Sequence, residues 1–167
     1  MKGTFEENVK FVKGDILTAN NTEKNVIVCQ QVNCKGVMGA GLAKQVKTKF
    51  PDLFNRYLLI CEQINNKKTG LGPGSVQYYD CGPNYRYIVA NLFAQDEYGR
   101  EPEKVYTDYK SLEKCFVHIS NCFPNAIIRI PHKIGCGLGG GDWEVVKEII
   151  KKNLIDKNID VEIWSLE

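Results

Sequence analysis

Two short segments carry most of the chemistry this sequence can do. The first is Asn33-Cys34-Lys35-Gly36-Val37-Met38-Gly39-Ala40-Gly41-Leu42-Ala43; the second is Ile134-Gly135-Cys136-Gly137-Leu138-Gly139-Gly140-Gly141-Asp142-Trp143. Each leaves a strand-like run and enters a helix-like one. A backbone that wraps an anion must aim successive N–H groups at one point, which often needs positive φ and no Cβ in the way. The N-terminus of the following helix adds unpaired donors and a partial positive charge. Loops at the carboxyl ends of strands are where open α/β sheets take ligands, and a pair of them suits a diphosphate better than one phosphate. For a single loop, a tight turn with a helix cap is an equal alternative. Two such loops, each so dense in glycine, favour the phosphate cradle.

Rival phosphate folds fail on context. Gly135, Gly137 and Gly140 satisfy G-x-G-x-x-G, but that fingerprint opens a first βαβ unit and needs an acidic residue about 20 positions on, after the next strand. Here it falls in the last unit. A Walker A loop needs Gly-Lys-Ser/Thr, which the sequence lacks.

Side chains able to act on a bound ligand are few. Asn33 and Gln95 can orient water or substrate but are poor bases. Asp142 is the one acidic residue of the second loop, a candidate for hydrolysis at an anomeric carbon; capping the following helix is its competing role. Asn33 and Asp142 are therefore the catalytic candidates. Asp96 and Glu97 form a second acidic group, more simply read as a solvated turn. Cys136 stands near a helix start, where a thiolate is favoured, yet no partner base is evident. His132 ends a strand beside the second loop and titrates near neutrality. His118 reads as surface.

The elements that must hold these loops follow from apolar periodicity. Strands are expected at Val9–Val12, Val26–Cys29, Val76–Tyr79, Tyr87–Leu92, Ala126–Ile130 and Ile159–Leu166, with Ala126–Ile130 central and buried on both faces. Leu42, Val46 and Phe50 mark a helix that Pro51 breaks; a second runs from Asp52 to Ile64, with Asn65–Lys68 as its frayed exit. Gly70–Gly74 is a turn. Val105, Tyr109, Leu112, Phe116, Ile119 and Phe123 step by four, three, four, three and four, the clearest amphipathic helix of the chain. Cys115 and Cys122, seven apart on it, are expected to share its apolar face. Trp143, Val146, Ile149, Ile150 and Leu154 face inward on the last helix. The order ββααββαβαβ argues for a mixed sheet between helical layers.

Bulk composition narrows the class. The 167 residues suit one domain spanning 1–167, with 43% hydrophobic and 25% charged residues, ordinary for a globular chain. Twenty-two basic against 20 acidic residues leave +2, too little for a general grip on a nucleic-acid backbone. No apolar run can span a bilayer, and the N-terminal residues lack the stretch of a secretory signal. Seven scattered cysteines without C-x-x-C spacing argue against a zinc site and for the reducing cytoplasm. Neither metal nor cofactor is expected, and a monomer is.

The strand end Lys13-Gly14-Asp15-Ile16-Leu17, the Asn33–Ala43 loop and the Gly135–Trp143 loop together resemble macrodomains. The resemblance extends over nearly the whole chain. It is nearest the subclass holding the terminal ADP-ribose protein glycohydrolase and the antitoxin that strips ADP-ribose from DNA. It implies a three-layer α/β/α fold with a central mixed sheet and an ADP-ribose crevice. Carried over by position, Asp15 accepts from the adenine amino group and Ile16 donates a backbone contact. Asn33 bonds the distal ribose. Met38, Gly39, Ala40, Gly41 and Leu42, with Gln95 and the run Gly135, Cys136, Gly137, Leu138, Gly139, Gly140 and Gly141, enclose the diphosphate and distal ribose. Trp164 and Leu166 flank the adenine.

Two departures bear on activity. The subclass glycohydrolase uses a lysine just after its fourth strand and an aspartate after Gly-Cys-Gly-Leu. Here the first stretch reads Asn91-Leu92-Phe93-Ala94-Gln95-Asp96, and the second position is Gly139. The expectation is a glycohydrolase-type hydrolase of ADP-ribosylated protein or nucleic acid, or of a free ADP-ribose derivative, without that lysine and aspartate. The alternatives are a non-catalytic ADP-ribose reader and an ADP-ribose 1″-phosphate phosphatase.

Overall fold

The computed structural model describes residues 3–67 and 69–167. Met1, Lys2 and Lys68, the last expected at a frayed helix exit, lie outside them. The strands are β1 (Lys10–Lys13), β2 (Val26–Val32), β3 (Val76–Asp80), β4 (Ile88–Phe93), β5 (Ile127–Pro131) and β6 (Asp160–Ser165). The helices are α1 (Phe5–Asn8), α2 (Gly41–Lys49), α3 (Pro51–Asn66), α4 (Tyr109–Cys122) and α5 (Trp143–Asn153). The strands form one sheet in the order β1-β6-β5-β2-β4-β3, parallel throughout except for the β3–β4 edge pair.

Helices cover both faces, giving three layers. Ile27 and Cys29 of β2, Ala90 and Leu92 of β4 and Ile128 and Ile130 of β5 point to one side, where Leu112, Cys115 and Phe116 of α4 meet Val146 and Ile150 of α5. The alternate residues Val26, Val28, Val32, Val89 and Phe93 point the other way, onto Val46 of α2 and Leu53, Tyr57 and Cys61 of α3. A period of two in the strands thus feeds two separate cores. No helix among the described residues is long and apolar enough to cross a membrane.

Three expectations change. The short α1, capped by the Thr4 side chain and seating Phe5 against Trp143, has no counterpart in the sequence reading. The amphipathic helix begins at Tyr109 rather than Val105, because the Asp108 carboxylate accepts from Lys110 and Ser111 amides and so sets its start. Val105 is 52% exposed. Cys115 is buried in the core, but Cys122 at the end of α4 is exposed, its sulfur near His118.

The α2/α3 face of the sheet also buries a polar row. Gln77, Asn91 and Gln30 are register partners across β3, β4 and β2, joined by Gln30 Nε2 to Asn91 Oδ1 at 2.7 Å and Asn91 Nδ2 to Gln77 Oε1 at 2.8 Å. On β5, expected to be buried on both faces, Arg129 occupies this face at 5% exposure. Direct pairing is what makes such groups tolerable in a core.

Candidate functional site

The carboxyl ends of β1, β2, β4, β5 and β6 open onto two adjoining clefts. The first, about 520 Å³, is bounded by Gln31, Asn33, Gly39, Ala40, Gln95, Arg100, Leu138 and Gly139, among others. The second, about 370 Å³, is bounded by Asp15, Ile16, Gly41, Leu42, His132, Trp164 and Leu166, among others. Ala40 lines one and Gly41 the other, so the start of α2 is the divide between them.

That helix start is open. Ala40 at the N-cap has no side chain to bond the first amides, and no acid occupies the first turn. The amides of Gly39, Ala40 and Gly41 meet no protein acceptor among the described residues. Unpaired donors and the positive end of the helix dipole therefore face the junction of the clefts. Its last turn carries Lys47 and Lys49, which complete the dipole in the opposite sense.

Asn33 builds the first loop from within. Its Oδ1 accepts from the Lys35 and Val37 amides at 3.0 and 3.3 Å, and Nδ2 donates to the Val37 carbonyl at 2.7 Å. From α3 the buried Tyr57 hydroxyl donates to the Asn33 carbonyl at 2.7 Å and lies 2.9 Å from Oδ1. Asn65 Nδ2 holds the Cys34 carbonyl at 3.2 Å. The Asn33 side chain thus builds the turn, and Asn33 also borders the first cleft. Met38, expected in the ligand wall, instead turns its side chain into the α2/α3 core at 2% exposure. It anchors the loop.

The second loop is a closed turn with a small working tip. The Gly135 carbonyl accepts from Thr107 Oγ1 at 2.7 Å and from the Gly141 amide at 2.8 Å. The Gly140 amide bonds the Gly137 carbonyl, and Tyr106 and Thr107 amides both reach the Gly139 carbonyl. Of this run only Leu138 and Gly139 line the first cleft; Gly135, Cys136, Gly137, Gly140 and Gly141 hold the turn behind them. The α5 start is not an anion site, because Asp142 Oδ1 caps it by accepting from the Glu144 amide at 2.9 Å. Asp142 borders neither cleft. Burial, with Asp142 next, pushes the Cys136 thiol up to about 11, so the reactive thiolate expected near this helix is absent at neutral pH.

Sequence reasoning missed Gln31, Tyr98, Arg100 and Thr107. Gln31 Nε2 donates to Gln95 Oε1 and to Thr107 Oγ1, both at 2.8 Å, tying β2 to the segments after β4 and before α4. It is the penultimate residue of β2, two positions before Asn33, and both residues border the first cleft. Tyr98 and Arg100 sit in a loop with no periodicity, which left no signal. In the second cleft Asp15 Oδ1 accepts from the Leu17 amide at 2.9 Å, shaping the turn that presents Ile16. Burial, then Lys133, lowers the pKa of His132, which favours the neutral imidazole.

The fold is that of macrodomains. A macrodomain from Streptomyces coelicolor superimposes with a TM-score of 0.74 at 21% identity, covering 94% of this chain and 98% of that one. The macrodomain of Thermus aquaticus DarG gives 0.67 at 26% identity, covering 94% and 97%. Among curated proteins the chain is similar to the DNA ADP-ribosyl glycohydrolase of Thermus aquaticus, 30% identical over 161 residues and 95% of this chain. It spans about 41% of that relative's length. It is also similar to the ADP-ribose 1″-phosphate phosphatase of Meyerozyma guilliermondii, 22% identical over 92% of this chain and 98% of that one. No family model matches the chain.

Proposed function

We propose that residues 1–167 form a single macrodomain that binds ADP-ribose across both clefts and hydrolyses an ADP-ribose derivative. The observation that carries this reading is the uncapped start of α2 at the junction of the clefts, where the diphosphate would sit. The adenine would lie against Ile16, Trp164 and Leu166, with Asp15 at its amino group. The distal ribose would meet Asn33, Gln95, Leu138 and Gly139. Both clefts are complete within one chain, which supports a monomer, and seven free cysteines suit a reducing cytoplasm. The names of the relatives support both substrates, ADP-ribosylated DNA and ADP-ribose 1″-phosphate.

In this reading Gln95 and Asn33 orient the ribose and a water, and the ligand's own phosphate assists its deprotonation. Calorimetry with ADP-ribose, followed by turnover assays on ADP-ribosylated DNA, ADP-ribosylated peptide and ADP-ribose 1″-phosphate, tests it. Micromolar binding with turnover of one substrate is expected; no turnover of any would reject the hydrolase. A second reading, a non-catalytic ADP-ribose reader, is favoured by one observation. The residues bordering the first cleft include no carboxylate, histidine or lysine. Binding without turnover would establish it.

A further inference from the structure

Thiols are the strongest nucleophiles this chain carries, and burial withholds six of its seven cysteines. It pushes the Cys29 and Cys61 thiols up, Cys34, Cys81 and Cys115 to about 12, and Cys136 to about 11. Each therefore stays protonated at neutral pH. Among the seven, all within the described residues, only Cys122 is exposed. It is the last residue of α4.

Cys122 has a base beside it. His118 stands one turn back on the same helix face, with Nδ1 3.7 Å from the Cys122 sulfur. That nitrogen lies 2.7 Å from the Tyr78 hydroxyl on β3, the opposite side of the α4–sheet contact. The imidazole and the Tyr78 ring stack at 5.5 Å and 26°, and Phe123 meets Tyr78 edge-on at 5.1 Å. A second element thus fixes the ring that faces the sulfur. Burial, then the nearby Cys122 sulfur, holds the Tyr78 hydroxyl protonated. As a donor it leaves the ring proton on Nε2 and Nδ1 as an acceptor. The same hydroxyl is also within hydrogen-bonding reach of the sulfur.

We propose that Cys122, with His118 as its base and Tyr78 as the donor that serves both, is a site of reversible thiolation by small disulfides such as glutathione disulfide. His118 Nδ1 takes the thiol proton as the Cys122 sulfur attacks one sulfur of the incoming disulfide. The Tyr78 hydroxyl then turns its hydrogen to the charged sulfur. The incoming S–S bond breaks, a protein–glutathione disulfide forms, and the departing thiolate recovers the proton from the imidazolium. The incoming disulfide is itself the oxidant, and one small thiol is its reduced product. None of the three residues borders either ligand cleft, so the inference stands apart from the ADP-ribose reading.

The test incubates the wild-type chain, Cys122→Ser, His118→Gln and Tyr78→Phe with glutathione disulfide at neutral pH, followed by intact-protein and peptide mass spectrometry. One adduct per chain is expected, on Cys122, and none in Cys122→Ser. The rate should fall about tenfold in His118→Gln, which loses the group that raises the reactive thiolate fraction. Tyr78→Phe keeps the aromatic packing and should slow the reaction about fivefold, as for one lost hydrogen bond. Melting temperatures are measured on every variant. Should His118→Gln be destabilised, Tyr78→Phe decides by the same criterion. An unchanged rate in the folded variant makes Cys122 an ordinary exposed thiol and overturns the proposal. So does an adduct spread over the buried cysteines, or no adduct on Cys122.

Discussion

The guanidinium of Arg129 on β5 lies 4.6 Å from the ring centre of Trp164 on β6. The same group donates to the carbonyls of Ile16 and Thr18 at 2.9 and 2.6 Å. Glu162, its register partner, lies 3.8 Å from Nε and accepts from Trp164 Nε1 at 3.0 Å. One buried cation therefore joins two walls of the second cleft, the turn that presents Ile16 and the strand that carries Trp164. Burial draws its pKa down, and the Glu162 carboxylate opposes that.

Arg129→Leu strands two carbonyls and a carboxylate, so a loss of about 3 kcal/mol in unfolding free energy is expected. Urea titration followed by tryptophan fluorescence measures it. Arg129→Lys keeps the charge but not the planar fork or the stack. It should fold and bind ADP-ribose about fivefold to tenfold more weakly. Wild-type affinity in Arg129→Lys would mean that the cleft wall does not depend on this contact.

Gly41 and Gly140 both have positive φ, yet they should respond oppositely to substitution. A Cβ on Gly41 would meet nothing within 4 Å, whereas on Gly140 that atom would stand 2.5 Å from the Lys104 carbonyl oxygen. Aspartate tolerates left-handed backbone and favours a helix start. Gly41→Asp should therefore stay folded while like-charge repulsion costs at least about tenfold in ADP-ribose affinity. Gly140→Ala should instead lower the melting temperature. Thermal melts and calorimetry on the pair separate the two roles.

Asp142 is assigned to the helix rather than to chemistry. Asp142→Asn keeps a capping oxygen and should retain both stability and any turnover, whereas Asp142→Ala should cost about 1 kcal/mol of stability. A large fall in turnover for Asp142→Asn at unchanged stability would restore its candidacy as the catalytic carboxylate.

The buried thiols make the fold sensitive to alkali. Burial raises Cys34, Cys81 and Cys115 to about 12 and Cys136 to about 11, against an ordinary 9.0. Each is held protonated in the native state more strongly than in the unfolded chain. Their contribution is thus complete below about pH 9 and is lost as pH climbs toward 11 and 12. The urea midpoint should be level from about pH 7 to about pH 8.5 and fall steadily above it. A flat profile to about pH 10.5 would contradict the burial of these groups.

Local pattern was enough to read the six strands and four longer helices, because an apolar period of two or of 3.6 is a property of neighbouring residues. It also picked out the two glycine-rich segments that the folded chain brings to the first cleft. The same local view left Asn33 and Asp142 with open alternatives. Tertiary contacts show the first as a loop-builder at the cleft wall and the second as a cap outside it. Strand order, the Gln31–Gln95–Thr107 tie, the inward turn of Met38 and the burial of Arg129 came only from the folded chain. Gln31 meets Thr107 across 76 positions and Arg129 meets Ile16 across 113. Contacts of that reach leave no period in the sequence, because they depend on which strands become neighbours and on which face each side chain emerges.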